Sequence, residues 1–390
     1  MRTRLFTGRK LQQAAELLEQ AHRAERGGGS AEAERLARQA ADLYGRAAGP
    51  GAAQTAGALV TVSYALRDQD RTAEAERELR AALAAGSLEP DAEALLRTAL
   101  TSLLESEGRY PEAVEEIGRA LVADASFAPA TQARNVNAAL LADLGRHREA
   151  AEQYAALVAV GRRERSSFAL LAESNRLAQL TYLGEHEAVE HGAVRLKEDS
   201  ARAPEPDATW TRVSANNSLA VSLALRGRHA DAEELLHRAQ AAIPADDTFA
   251  LILHVNLVRA LLGRGRTGEA HAELDAALSL ADRLPALPDT DRSALGLAAA
   301  TLHLAEGDPA AAERAARAGL ALCPPSDRPT HRALELRTAL GTAETRQGRG
   351  EATLTTALAD WTEHFGPDHH GTAAARAARA ALAAPAAPGP

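Results

Sequence analysis

Cysteine is almost missing: Cys323 is the one thiol in 390 residues, so an internal disulfide is excluded and nothing calls for an oxidising compartment. Aromatic residues make up only 3 % while alanine dominates a 46 % apolar fraction, which excludes a core of large side chains and favours helices that approach closely. No apolar run nears the roughly 18 uninterrupted residues of a membrane span. The basic start Met1 to Lys10 leads into the amphipathic Leu11-Gln12-Gln13-Ala14-Ala15-Glu16 rather than the apolar stretch of a signal peptide. A soluble, cytoplasmic chain without membrane insertion is expected. Positive charge is not in excess either, with 44 Lys and Arg against 53 Asp and Glu for a net −9, which argues against nucleic acid as a partner. Nor does any stretch alternate apolar and polar as a half-buried strand would.

What is present is helical periodicity with regular punctuation. Leucines recur at i, i+4, as in Leu79 and Leu83 or Leu274 and Leu278. Breaks at Gly28, Asp70, Gly108, Gly145, Gly184, Gly227, Gly265, Gly307 and Gly348 are each followed by a small residue inside the next helix, and the mean period is 40 residues. That interval belongs to solenoids. Around Gly108, the stripe Leu96, Leu100, Leu103, Leu104 ends at Gly108-Arg109-Tyr110-Pro111, and Ala113, Ile117, Ala120, Leu121 begin the next. Glycine takes the left-handed C-terminal position cheaply, and proline suits the first turn that follows. Between repeats, Pro90-Asp91, Pro206-Asp207, Pro288-Asp289, Pro325-Ser326-Asp327 and Pro367-Asp368 read as helix starts whose aspartates accept first-turn N–H groups.

The expected fold is therefore all-α: an α-solenoid of about nine hairpins, closed by a capping helix from Gly371 to Ala383. Residues 1–383 read as one array, and the Ala/Pro-rich 384–390 as a disordered tail. Opposite charges three or four apart, as in Glu74-Ala75-Glu76-Arg77-Glu78 and Glu233-Glu234-Leu235-Leu236-His237-Arg238, read as solvated pairs on helix faces.

Gly108-Arg109-Tyr110-Pro111-Glu112-Ala113, Gly145-Arg146-His147-Arg148-Glu149-Ala150 and Gly227-Arg228-His229-Ala230-Asp231-Ala232 resemble the glycine, aromatic and alanine signature of tetratricopeptide (TPR) repeats, along nearly the whole chain. The period exceeds the standard 34. Phe365-Gly366-Pro367-Asp368-His369-His370-Gly371-Thr372 and Asn216-Asn217-Ser218-Leu219-Ala220 resemble the longer, kinesin-light-chain-like bacterial and actinobacterial subtype. Gly184 and Gly348 reach their Glu-Ala one residue early, and Asp70 stands in for glycine. The resemblance implies a right-handed superhelix whose first helices line a concave groove for a partner's peptide or helix.

Counting back from each turn places Gln132, Asn135, Ser174, Asn175, Ser214, Asn217, Ser218, Asn256 and, as a lone cation, Arg259 in that groove. The basic set with which chaperone-binding relatives clamp a carboxylate terminus is missing. An asparagine amide both donates and accepts, so a row of them can hold a peptide backbone whatever its side chains.

Other signals carry less. Gly263-Arg264-Gly265-Arg266-Thr267-Gly268 matches a dinucleotide-binding glycine pattern but lacks the preceding strand. His364, His369 and His370 share a loop without a convincing ligand spacing, so no metal and no cofactor is expected. With no phosphate-binding loop, catalytic carboxylate pair or placed nucleophile, the chain reads as a non-enzymatic scaffold or adaptor binding a protein or peptide partner, self-association being among the options. The alternative is a peptide-sensing signalling or transcription regulator whose curvature changes on binding.

Overall fold

The computed structural model describes residues 2–164, 166–284, 287–325 and 328–383, and among these every regular element is a helix. In chain order they are α1 (Arg2–Arg26), α2 (Ser30–Ala47), α3 (Ala53–Arg67), α4 (Thr72–Ala84), α5 (Pro90–Ser106), α6 (Tyr110–Val122), α7 (Phe127–Asp143), α8 (His147–Arg163), α9 (Phe168–Tyr182), α10 (His186–Ser200), α11 (Asp207–Leu225), α12 (His229–Gln240), α13 (Thr248–Gly263), α14 (Thr267–Ala281), α15 (Asp289–Glu306), α16 (Pro309–Ala321), α17 (His331–Arg346), α18 (Glu351–Phe365) and α19 (His370–Ala383). These are nine hairpins and a last helix. The expected tail, 384–390, lies outside the described residues.

Each hairpin turns where the punctuation falls. Gly28, Gly108, Gly145, Gly184, Gly227, Gly265, Gly307 and Gly348 all have φ between 71° and 80°, and Asp70 takes the same left-handed geometry at φ 59°. Aspartate tolerates that region better than most side chains because it is short and polar. Gly184 and Gly348 turn like the rest despite their shortened spacing.

The helix starts fall at or within a few residues of the proline-aspartate pairs, but at the starts of α5, α11 and α15 the expected aspartate caps do not form. Asp91, Asp207 and Asp289 lie in the first helical turn without capping it, where a carboxylate still interacts favourably with the helix dipole. Asp91 instead accepts the backbone N–H and hydroxyl of Ser126. Side-chain caps come from Asp247, Asp308 and Thr330, which accept from Phe249, Ala311 and Ala333. Ser326 and Asp327 lie outside the described residues.

The helices form two compact units, Met1–Leu140 and Leu141–Pro390. In the first, α1 to α3 pack around Ala14, Ala40, Tyr44 and Ala58. In the second, hairpins stack with the first helix of each against the first of the next, α9 on α11, α11 on α13, α13 on α15 and α15 on α17. The core alternates leucine with alanine: Leu251, Val258 and Leu302 sit fully buried among Ala270, Ala277 and Ala294. A fully buried leucine contributes about 1.5–3 kcal/mol, and the alanines set the helix spacing.

Charge does more than solvate. The arginine after a turn reaches back to a glutamate of the preceding hairpin: Arg71 to Glu34 at 2.6 Å, Arg109 to Glu76 at 2.7 Å, Arg266 to Glu233 at 2.6 Å and Arg349 to Glu313 at 2.6 Å. Glu233 takes Arg264 as well. The solvated-pair reading holds for Arg238 with Glu234, while Glu74, Glu76, Glu78 and Glu233 join successive repeats. The paired residues lie 33 to 37 positions apart, close to one repeat, so a glutamate on one hairpin faces an arginine on the next.

Candidate functional site

The second unit closes on itself. Gly145, after α7, lies so near the start of α17 that a Cβ on it would come within 2.9 Å of Thr330 Cα. Further round, His369 Nε2 donates to the Tyr182 carbonyl oxygen at 2.9 Å, linking the end of α9 to the loop before α19. The first helices of five hairpins, α9, α11, α13, α15 and α17, thereby face a common interior.

That interior holds a cavity of about 320 Å³, within the range of about 300–1,000 Å³ usual for ligand sites. Its wall carries Gln179, Asn217, Ser218, Asn256 and Arg259 on successive first helices. Asn256 Nδ2 donates to Asn217 Oδ1 at 2.8 Å, so two asparagines 39 residues apart form a rung between α13 and α11. Arg259 Nη2 donates to Glu335 Oε1 of α17 at 2.7 Å. Both residues, with Val255 and Arg332, also border a second, more apolar cavity of about 600 Å³, so the ion pair stands in the partition between the two. Burial opposes ionisation of Glu335, but Arg259, His331 and Arg332 together hold its carboxyl well below the usual range.

Asp291, at the start of α15, lines the first cavity with Asp143. Burial raises the Asp291 carboxyl above its ordinary value, and the Asp143 charge adds to the effect. Cys323 also borders this cavity. Burial raises its thiol, and its Sγ lies 3.6 Å from the Gly319 carbonyl, so it is a poor source of thiolate nucleophile.

No model of a known protein family matches the chain, and no curated protein matches it in sequence. Solved structures match it in fold. A Rap protein complexed with Competence and Sporulation Factor is 13 % identical, with a TM-score of 0.59 over 96 % of this chain and 98 % of that one. The apo form of the quorum sensor NprR from B. thuringiensis is 12 % identical, with a TM-score of 0.58 over 89 % and 98 %. A tetratricopeptide repeat protein from Parabacteroides merdae ATCC 43184 is 18 % identical, with a TM-score of 0.50 over 69 % and 93 %. The fold is that of the tetratricopeptide-repeat proteins.

Four of the nine residues read from the repeats as groove positions line the cavity: Asn217, Ser218, Asn256 and Arg259. Arg259 is not a lone cation, being paired with Glu335. Ser174 is buried, Asn175 and Ser214 are half-buried, and none of the three lines either cavity. Gln132 and Asn135 belong to the first unit. Gln132 is exposed, and Asn135 is half-buried with its Oδ1 shut away from any hydrogen-bond partner. Asn216, beside Asn217, turns instead to α10 and accepts from Lys197 Nζ at 3.1 Å.

Position counting missed Gln179, His147, Tyr182, His331 and Glu335. The repeat punctuation locates first-helix positions, but a residue 76 positions away enters the site only because the second unit closes.

That closure also gathers histidines. His147 is buried, and its Nδ1 donates to Gln179 Oε1 at 2.8 Å. Burial, with smaller contributions from His331 and His369, pushes it down to about 4. His331, His369 and His370 pack with Trp361 and Phe365 at ring-centroid distances from 3.9 to 6.5 Å. Burial drives His369 down to about 4 and lowers His331. His364 borders a separate cavity beside Arg146 and Arg328, so of the histidine loop only His369 and His370 join the cluster.

Proposed function

We propose that the chain is a non-enzymatic interaction module whose second unit binds an extended peptide segment in the asparagine-lined cavity. The observation that carries this reading is the Asn217–Asn256 rung. The rung takes one N–H of Asn256 and one oxygen lone pair of Asn217, and the donors of Asn217 and the acceptor of Asn256 remain for a backbone to engage. An extended backbone offers the complementary groups at every residue. The apolar second cavity beyond Arg259 and Glu335 suits a side chain of such a segment, and Asp143 with Asp291 favours a cationic group on it. The poor thiolate character of Cys323 supports a binding rather than a catalytic role.

The fold neighbours favour one second reading. A quorum sensor and a Rap protein solved with Competence and Sporulation Factor share this fold over most of their length, which supports a signalling regulator controlled by its ligand. The cytoplasm is the compartment proposed for either role.

Selection of a random heptapeptide library on the full chain, followed by calorimetry of the enriched peptides, tests the proposal. Asn217→Ala with Asn256→Ala removes about two hydrogen bonds of 0.5–1.5 kcal/mol each, so binding is expected to weaken about 5- to 150-fold with the helical circular dichroism unchanged. A folded double variant that binds as tightly as the parent overturns the assignment of the cavity.

A further inference from the structure

His331, on the first turn of α17, and His370, on the first of α19, bring their Nε2 atoms to 3.1 Å. His369 joins them: one ring nitrogen from each of the three lies within 4.8 Å of the others. Two neutral imidazoles can share a 3.1 Å contact as one hydrogen bond. The same spacing also fits two nitrogens on one ion, since bonds of about 2.0–2.1 Å at a tetrahedral angle place the ligand atoms about 3.3 Å apart.

The other ring nitrogens distinguish these cases. A metal-bound histidine points its second nitrogen at a carboxylate or a backbone carbonyl, which fixes the tautomer and raises its basicity. His331 Nδ1 lies 3.4 Å from Glu335 Oε2, near enough to turn to it but with no hydrogen bond formed. His369 Nε2 donates to the Tyr182 carbonyl, which leaves Nδ1 as its ligand atom, now accepting the Gly371 N–H at 3.1 Å. A hydrogen bond between His331 and His370 requires neither arrangement. His370 Nδ1 is shut from solvent without a partner, and Gly184 leaves room beside it: a Cβ there would lie 3.1 Å from His369 Cδ2 and 3.6 Å from His370 Nδ1. Trp361 stacks on His369 at 5.3 Å and meets His331 edge-on at 5.0 Å, walling the cluster with apolar surface.

We propose that His331, His369 and His370 form a three-histidine site for a divalent first-row transition ion, zinc being the probe of choice, with a further position open to water or an exogenous group. Imidazole nitrogens suit zinc, cobalt, nickel and copper rather than magnesium or calcium. The Tyr182 carbonyl orients His369, and Glu335 stands beside the second nitrogen of His331. Because Tyr182 ends α9 while the ligands belong to α17 and the start of α19, a bound ion would tie the closure of the second unit together. The site shares His331 and Glu335 with the wall of the first cavity and His370 with that of the second, but its ligands exclude the asparagine rung and it does not depend on the peptide reading.

Full-length chain, freed of metal by chelation and dialysis, is titrated with zinc by calorimetry and with cobalt(II) by visible absorption and paramagnetic proton NMR. One ion per chain, micromolar affinity or tighter, intense tetrahedral cobalt bands and three hyperfine-shifted exchangeable imidazole N–H signals are expected. His370→Ala should weaken zinc at least about 30-fold, while the exposed His191→Ala leaves it unchanged. Failure of the folded parent to bind one equivalent, or equal binding by folded His370→Ala, overturns the proposal. Should His370→Ala not fold, the parent's cobalt spectrum decides: fewer than three imidazole signals overturns the site, and three support it.

Discussion

Arg259 Nη2 donates to Glu335 Oε1 at 2.7 Å across 76 residues of sequence, and the pair stands between two cavities inside the second unit. Glu335 retains 13 % of its side-chain exposure and Arg259 32 %, so the charges are largely, though not wholly, withdrawn from water. Removing one partner of a fully buried pair costs about 3–5 kcal/mol, whereas replacing both with apolar groups is often near neutral. Partial exposure lowers the first figure here. Arg259→Met is expected to destabilise by about 2–3 kcal/mol, and adding Glu335→Leu should recover at least about 1 kcal/mol of that. Urea unfolding of the two single variants and the double variant checks this, and strictly additive losses would show that the pair is not coupled.

Gly145 and Gly265 share a left-handed backbone, with φ of 74° and 71°, but not their surroundings. A Cβ on Gly265 meets nothing within 4 Å, while one on Gly145 would strike Thr330 Cα at 2.9 Å and the Pro329 carbonyl at 3.3 Å. Gly265→Ala should therefore cost only the conformational penalty, about 1–2 kcal/mol. Gly145→Ala adds a backbone collision at the closure, and its melting temperature should fall several degrees further. Equal melting temperatures would show that α17 does not press on this turn in solution.

Glu313 carries the pH prediction. Hydrogen bonds from Gln347, Arg317 and Arg349 hold its carboxyl down at about 2, against an ordinary 4.5. A carboxyl depressed in the folded state stabilises fully above the unfolded value and loses that contribution as the pH falls toward the folded one. The melting temperature of Glu313→Gln should thus lie below the parent's at pH 6, and the gap should close between pH 4.5 and 2. A gap independent of pH would point to lost packing rather than lost charge.

The turns were legible because they are local. A left-handed residue every 40 positions is written in glycine, and the neighbours of Asp70 place it in the same series, as its φ of 59° bears out. Helix starts were equally readable from proline, yet their caps were not. Whether an aspartate falls at the cap or one residue inside depends on the exact first residue of the helix, and Asp91, Asp207 and Asp289 fall inside.

The candidate site was half legible. Asn217, Ser218, Asn256 and Arg259 share one first-helix face, a consequence of helical period and repeat length alone. Asn175 belongs to the same series but lines neither cavity, whereas Glu335, which stands as far before Gly348 as Ser214 stands before Gly227, lines both. Sequence by itself determined the helices, the turns and the alanine-spaced stacking, because each depends on residues within one or two repeats. Only the tertiary structure decided that the second unit closes, bringing Tyr182 to His369 across 187 residues and joining His331 to His370. Closure sums small rotations from hairpin to hairpin, and no single stretch of sequence records that sum.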